Sequence, residues 1–150
     1  MKRKHPDTDT PPALAAESQL DQGTTFASLG LDARLLQGIA KLGFAHPTAV
    51  QAKAVPLALE GKDILARAKT GSGKTAAYLL PVLQSILKRN DGGESGGEDG
   101  GVKGPSALVL VPTRELADQV CKAVEKLSAY CGKMVRAVNL AQNVSEQVQQ

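Results

Sequence analysis

The sequence predicts an α/β domain in which helices cover a parallel sheet. Short strand candidates at 63–68, 107–111 and 135–140 alternate along the chain with segments of helical periodicity. The segment 107–111 is apolar at every position, which is typical of a parallel strand buried on both faces. Strands that alternate with helices in this order predict a parallel sheet. Because three strands make a small sheet and no terminating signal appears at 145–150, we expect the front part of a larger domain, incomplete at its C-terminal end.

Composition divides the 150-residue chain into a foldable part and two polar segments. Pro, Gly, Ser, Thr and acidic residues dominate 1–25 and 90–105. We therefore expect a disordered tail at 1–25 and a flexible, acidic, glycine-rich insert at 90–105 within a domain that spans 26–150. No apolar run approaches the roughly 18 residues that span a bilayer, so we expect no membrane partner.

The foldable part is basic, although the net charge of the chain is only +3. Outside the two polar segments there are 14 basic and 7 acidic residues. A surplus of this size can attract a polyanion such as nucleic acid, but a solvated basic surface has the same composition. The role of the cluster Lys2-Arg3-Lys4 is also undecided from sequence, because it fits either a nuclear-import signal or a solubilising tail.

Four helices are predicted from the spacing of apolar residues and from residues that favour helix ends. The first runs from about Leu31 to Leu42 and is ended by Gly43, and the second opens with a capping box of Thr48 and Gln51, is interrupted at Pro56 and closes at Gly61. The third runs from Lys74 to about Lys88 with a kink at Pro81, and the fourth is capped by Thr113, continues to about Tyr130 and stops at Gly132.

A glycine-rich loop between the first predicted strand and the third helix carries the strongest site signal. It reads Ala68-Lys69-Thr70-Gly71-Ser72-Gly73-Lys74-Thr75, with Ala68 where the usual phosphate-loop pattern has Gly. The two glycines allow backbone angles that aim several N–H groups into one concavity at a helix N-terminus. Lys74 can place its ammonium between terminal phosphates, and the Thr75 hydroxyl can complete a Mg²⁺ shell. We therefore predict that these residues bind a nucleoside triphosphate, with Lys74 and Thr75 catalytic and Thr75 a metal ligand.

Two residues upstream of the loop are candidates for recognising the base. The carboxamide of Gln51 has a donor and an acceptor and can pair with the edge of adenine in a way that guanine cannot mirror. The isolated aromatic Phe26 can stack on the ring. Local pattern alone is equally consistent with Gln51 as part of a capping box and with Phe26 as a hydrophobic anchor.

Three segments in chain order resemble motifs of the DEAD-box RNA helicases. Phe26 with 43–51 is similar to the Q motif, 68–75 is similar to motif I with Ala68 included, and 112–117 is similar to motif Ia. The resemblance implies a parallel-sheet P-loop NTPase domain of the RecA-like type, with ATP and Mg²⁺ as cofactors and RNA as partner. It also implies that Phe26 and Gln51 contribute to ATP binding, with Gln51 on the adenine.

The segment that resembles motif Ia begins with Pro112, Thr113 and Arg114. Where a strand ends and a helix begins, a hydroxyl, a guanidinium and free N–H groups converge on one anion-sized spot. The resemblance implies that these three residues bind RNA backbone phosphates. Thr113 is also expected to act as a plain N-cap, and the two roles are compatible.

Two departures from the family pattern affect what the resemblance implies. Where the family has a Gly-Gly turn that contacts RNA, this sequence has Asn139-Leu140-Ala141-Gln142-Asn143, so that contact is not carried over. The family's Asp-Glu-Ala-Asp and Ser-Ala-Thr motifs and its second RecA-like domain do not occur in these 150 residues. Because hydrolysis needs a carboxylate that holds Mg²⁺, we expect this chain alone to be inactive.

The resemblance implies that the complete protein is an ATP-dependent RNA helicase that remodels RNA duplexes or ribonucleoprotein. The motif variants and the acidic insert are most similar to the nucleolar branch that acts in large ribosomal subunit biogenesis and rRNA processing. That branch implies a monomer in the nucleus and nucleolus, with pre-rRNA and pre-ribosomal particles as partners. Two alternatives are a truncated, non-catalytic RNA- or protein-binding module and an unrelated P-loop kinase.

Overall fold

The computed structural model describes residues 23–91 and 104–142. Most of the predicted tail at 1–25, its Lys2-Arg3-Lys4 cluster, and 92–103 of the predicted insert lie outside the described residues. The described part contains four α-helices and two single-turn 3-10 helices. The α-helices are α1 (Ala33–Lys41), α2 (Ala49–Leu59), α3 (Lys74–Asp91) and α4 (Arg114–Leu127), and the 3-10 helices are Ala27–Leu29 and Gly132–Met134.

The four predicted helices are present, with differences in their interiors and ends. The predicted interruption of α2 at Pro56 is wrong, because the helix continues to Leu59 and Glu60 N–H still donates to the Pro56 carbonyl at 3.0 Å. A proline lacks an N–H to donate and crowds the preceding turn, but its carbonyl still accepts from the following turn, so the helix can continue past it. Helix α4 ends at Leu127, before the predicted Tyr130. Ser128 is its C-cap, and the Ser128 N–H and Oγ both donate to the Val124 carbonyl.

The predicted strands are not formed in the described part of the chain. No strand is present there, and no backbone hydrogen bond joins 63–68, 107–111 or 135–140 to another of these segments. Leu65 is fully exposed and Leu110 is 84% exposed. A segment becomes a strand only when it forms hydrogen bonds to a neighbouring strand. The apolar sequence pattern predicted which segments suit a sheet, but it did not show which segments pair. The observed layer is helical.

The hydrophobic core is centred on α3. Four leucines of this helix are almost completely buried: Leu79, Leu80, Leu83 and Leu87. Helix α2 packs along α3, and α1 and α4 pack beside it. Gly38 of α1 permits the closest approach between α1 and α4, since a Cβ there would collide with the Leu127 carbonyl oxygen. No helix in 23–91 or 104–142 is both long and apolar enough to cross a membrane.

A charged network joins the start of α1 to the far end of α3. Asp32 caps α1, and its carboxylate accepts from Arg34 N–H at 2.9 Å and from the Arg34 guanidinium at 2.8 Å. Arg34 also forms an ion pair with Asp91 in the last turn of α3. The Asp32 N–H donates to Gln84 Oε1 at 2.7 Å. The end of α3, where the predicted insert begins, is therefore fixed to α1.

Replacing Asp32 with asparagine is expected to reduce the loss of stability in acid. Hydrogen bonds from Arg34 hold the pKa of Asp32 at about 2, below the ordinary value of 3.8. A lowered pKa contributes stability that is complete above pH 4 and is lost as the pH falls toward 2. Since Asn caps a helix as well as Asp, the variant removes the charge and keeps the cap.

The measurement is the free energy of unfolding in urea between pH 2 and pH 5. The curve for Asp32→Asn should be flatter than that of the parent protein. Asp63→Asn is the control, because Asp63 is exposed and forms no ion pair or side-chain hydrogen bond in the described segments. Parallel curves for the parent and Asp32→Asn would contradict the assignment.

Candidate functional site

The glycine-rich loop forms a tight curl directly before α3. Gly71 and Gly73 have φ values of 80° and 85°, in the left-handed region that L side chains rarely adopt. The Ser72 N–H donates to the Lys69 carbonyl at 3.3 Å, which closes the turn. Helix α3 begins at Lys74, so its free N–H groups and the positive end of its dipole face the loop. The predicted arrangement of loop and helix N-terminus is thus present, although the segment before it is not a strand.

Lys74 directs its ammonium back into this curl. Its Nζ donates to the carbonyl oxygens of Ala68 and of Lys69, the latter at 2.6 Å. The ammonium is therefore held by neutral backbone oxygens and has no carboxylate partner within the described residues. A phosphate that enters the curl would meet an uncompensated positive charge, as the chemistry of a triphosphate site requires.

The hydroxyl of Ser72 provides a further test of the fit to an anion. Its oxygen is buried and has no hydrogen-bond partner within the described part of the chain. A buried, unpaired hydroxyl costs free energy unless a ligand or water supplies the partner. A phosphate oxygen would accept from this hydroxyl, so the loop fits the polyphosphate of a nucleotide.

Thr75 lies in the first turn of α3 and is exposed. Burial raises the pKa of the Tyr78 phenol, and a hydrogen bond with Thr75 partly offsets that rise. Residues 23–91 and 104–142 contain no group of three His, Cys, Asp or Glu side chains that could hold a metal ion. The Thr75 hydroxyl suits Mg²⁺ as one oxygen ligand beside phosphate oxygens and water.

Gln51 joins the first turn of α2 to the phosphate loop. Its Oε1 accepts from Thr48 N–H at 2.9 Å, which completes the predicted capping box, and its Nε2 donates to the Gly73 carbonyl at 3.1 Å. The side chain is 96% buried. The capping role is confirmed, and recognition of adenine by the same amide stays a prediction. The structure adds a contact that sequence spacing could not show, between Gln51 and the loop.

Phe26 lies in the hydrophobic core and is 5% exposed. It belongs to the same apolar cluster as Leu35 and Leu80. This position corresponds to the hydrophobic anchor that the sequence left open as an alternative. Stacking of Phe26 on a base stays a prediction.

The N-terminus of α4 presents the residues predicted to bind RNA phosphates. Thr113 caps the helix, with its Oγ1 accepting from Leu116 N–H at 3.2 Å. Pro112 and Arg114 are exposed. A cation at a helix N-terminus is opposed by the helix dipole, so Arg114 does not serve the stability of α4. Its position favours a role in binding an anion.

The structure thus brings together Gln51 and the loop 68–75, whereas Phe26 lies in the core and 112–114 form a separate edge. The sequence interpretation missed a second group beside that edge, in which Asn139 and Gln142 donate to Asp118 of α4. No sequence spacing indicated this contact, because Asn139 and Gln142 lie 21 and 24 positions after Asp118.

Comparison with known proteins is consistent with this geometry. The family model described as DEAD/DEAH box helicase matches residues 48–150. Proteins named ATP-dependent RNA helicase dbp9 from Botryotinia fuckeliana and Sclerotinia sclerotiorum are 61% and 62% identical to this chain over 149 residues, which is 99% of the chain. The chain spans 23% of the length of these curated relatives.

Solved structures of helicases share the fold. The RNA helicase Prp28 from Chaetomium thermophilum bound to ADP is 35% identical and superposes with a TM-score of 0.66, over 83% of this chain and 28% of that protein. Dbp5 from S. cerevisiae bound to RNA and ADP BeF3 is 33% identical, with a TM-score of 0.56 over 71% of this chain and 25% of that one. The phosphate loop, the capping box and these matches agree: the chain belongs to the DEAD/DEAH box helicase family.

Proposed function

We propose that the complete protein carrying this sequence is an ATP-dependent RNA helicase that couples ATP binding and hydrolysis to the remodelling of RNA duplexes or ribonucleoprotein. The observation that carries the proposal is the phosphate loop at the start of α3, in a chain that belongs to a helicase family. Membership of this family sets aside the unrelated P-loop kinase.

The loop supports ATP and Mg²⁺ as cofactors. Gly71 and Gly73 turn the backbone, Ser72 and Lys74 offer donors to phosphate oxygens, and Thr75 offers a hydroxyl to Mg²⁺. When bound, Mg²⁺ would neutralise charge on the phosphates. Gln51 is proposed to inspect the base while it holds Gly73, because each end of its amide can serve a second partner.

The edge formed by Pro112, Thr113 and Arg114 is proposed to bind the RNA backbone. The helix N-terminus, a hydroxyl and an exposed guanidinium meet there, as phosphate binding requires. Such contacts position RNA without reading its sequence.

The proposed cellular role is large ribosomal subunit biogenesis and rRNA processing in the nucleus and nucleolus. Pre-rRNA and pre-ribosomal particles would be the partners of a monomeric protein. The support is the similarity of the sequence motifs to the nucleolar branch of the family, together with the basic foldable part of the chain.

We further propose that 63–68, 107–111 and 135–140 are strands of a RecA-like parallel sheet in the complete protein. The segments 107–111 and 135–140 line one cavity of about 1120 Å³ beside α3 and α4. Leu108, Leu110 and Leu140 are 72%, 84% and 80% exposed, and burial against neighbouring strands would remove this apolar surface from water.

The test is ATP hydrolysis by the complete protein with and without RNA, together with unwinding of a labelled RNA duplex. Hydrolysis that RNA stimulates and unwinding that needs ATP are the expected results. Binding of RNA without hydrolysis in the complete protein would instead favour a non-catalytic binding module.

Replacing Gln51 with alanine is expected to weaken ATP binding more than GTP binding. Loss of one or two hydrogen bonds to adenine, at about 0.5–1.5 kcal/mol each, corresponds to roughly tenfold for ATP. Loss of the cap and of the contact with Gly73 affects both nucleotides alike.

The measurement is the dissociation constant of each nucleotide for the complete protein. Thr48→Ala is the matched control, because it removes the cap hydroxyl and leaves the Gln51 amide in place. Equal losses for ATP and GTP in Gln51→Ala would limit Gln51 to capping and to support of the loop.

A further inference from the structure

Arg114 and Asp118 lie four residues apart on α4, at the spacing where a cation and an anion on a helix ordinarily pair. They do not form an ion pair here, and Arg114 has no ion-pair partner within 23–91 and 104–142. The carboxylate of Asp118 is instead engaged by neutral donors from another part of the chain.

Those donors are the side-chain amides of Asn139 and Gln142, which we call the amide clasp. Asn139 Nδ2 donates to Asp118 Oδ1 at 2.6 Å, and Gln142 Nε2 donates to the same oxygen at 3.0 Å. The turn that carries them is itself fixed, since Ala141 N–H donates to Asn139 Oδ1 at 2.9 Å and Gln142 N–H to the Asn139 carbonyl at 3.3 Å. Both amides are thus presented to α4 in a defined orientation.

A carboxylate at this position has consequences for an anion-binding edge. If no hydrogen-bond donor engaged it, the Asp118 carboxylate would compete with a phosphate for the Arg114 guanidinium one turn away. The amide clasp engages Oδ1 of this carboxylate with two neutral donors and uses no positive charge. Arg114 and Asn139 both line the cavity of about 1120 Å³ beside α3 and α4, so the guanidinium and one arm of the clasp border the same space.

We propose that Asn139 and Gln142 are positioning residues for RNA binding, which hold Asp118 away from Arg114 and so leave that guanidinium available to an RNA phosphate. The inference rests on the proposed function, in which Arg114 binds the RNA backbone. In this proposal the turn at 139–142 does not contact RNA itself. It affects RNA binding through Asp118 and Arg114 of α4.

The test is the affinity of the complete protein for a fluorescently labelled single-stranded RNA, measured by anisotropy with a non-hydrolysable ATP analogue present. The double variant Asn139→Ala with Gln142→Ala should bind RNA about two- to fivefold more weakly, the range expected from one exposed ion pair that RNA must break. Gln142→Ala alone, at an exposed position, should change affinity in the same direction.

The sign of the effect at Asp118 distinguishes this role from a merely structural one. Asp118→Ala alone should bind RNA as well as the parent or more tightly, and adding it to the double variant should restore binding. Glu125→Ala, which removes an exposed carboxylate two turns further along α4, should not restore it. If Asp118→Ala weakens binding as much as the double variant does, the clasp only ties the turn to α4 and the proposal is wrong.

Arg114→Ala separates this inference from the proposed function. This variant should weaken RNA binding, and in its background the double variant should have no further effect. Unchanged RNA affinity in Arg114→Ala would overturn the RNA edge itself. A loss in Arg114→Ala followed by an undiminished further loss from the double variant would overturn the clasp alone.

Discussion

Replacing Lys74 with alanine is expected to weaken ATP binding by the complete protein about 10- to 150-fold. The ammonium lies inside the phosphate loop, where it is bound only by the carbonyl oxygens of Ala68 and Lys69. A charge-assisted hydrogen bond contributes about 1.5–3 kcal/mol, and this range corresponds to the stated change in affinity.

The comparison of ATP with AMP gives this prediction its sharpest measurement. If Lys74 faces the terminal phosphates, the variant should lose much more affinity for ATP than for AMP, as measured by calorimetric titration. Lys62→Ala is the control, because Lys62 is exposed and pairs with Glu60 at 2.6 Å. Equal losses for ATP and AMP would show that the ammonium acts elsewhere than at the terminal phosphates.

Replacing Gly73 with alanine is expected to abolish measurable ATP binding and to lower the thermal midpoint. Gly73 has a φ of 85°, which costs an L residue about 1–2 kcal/mol. A Cβ there would also collide with Gln51 Nε2 and would lie 3.0 Å from Thr48 Oγ1. Since Gln51 is buried and fixed at both ends of its amide, the loop would have to move.

Gly71→Ala is the matched control for this variant. Gly71 has a φ of 80°, nearly that of Gly73, but a Cβ there would meet no atom within 4 Å. Both variants therefore carry the same backbone strain, and only Gly73→Ala adds the collision. Thermal unfolding and ATP titration should show a clearly larger loss for Gly73→Ala, and equal losses would remove the contact with Gln51 from the explanation.

Features that depend on neighbouring residues in the chain were predicted well from sequence. The capping box of Thr48 and Gln51 and the N-cap at Thr113 each follow from a side chain and a backbone group a few residues apart. Such contacts form at helix starts between residues close in sequence, so the order of the residues is enough to predict them.

Features that depend on distant partners were predicted less well or not at all. The apolar segment 107–111 indicates a buried strand. A strand needs a partner strand, however, and the sequence pattern does not show which segment that partner is. The contact between Gln51 and Gly73, and the engagement of Asp118 by Asn139 and Gln142, join residues more than 20 positions apart. The tertiary fold, including the loop before α3 and the turn at 139–142, brings these groups together.

The bond from Gln51 to Gly73 has a consequence for how this region opens. One amide side chain closes the first turn of α2 and also holds the last glycine before α3, so neither can come apart alone without leaving a buried donor or acceptor unpaired. The start of α2 and the phosphate loop should therefore open as one cooperative unit. A ligand that reduces the motion of the loop should also protect the backbone amides at the start of α2 from hydrogen exchange.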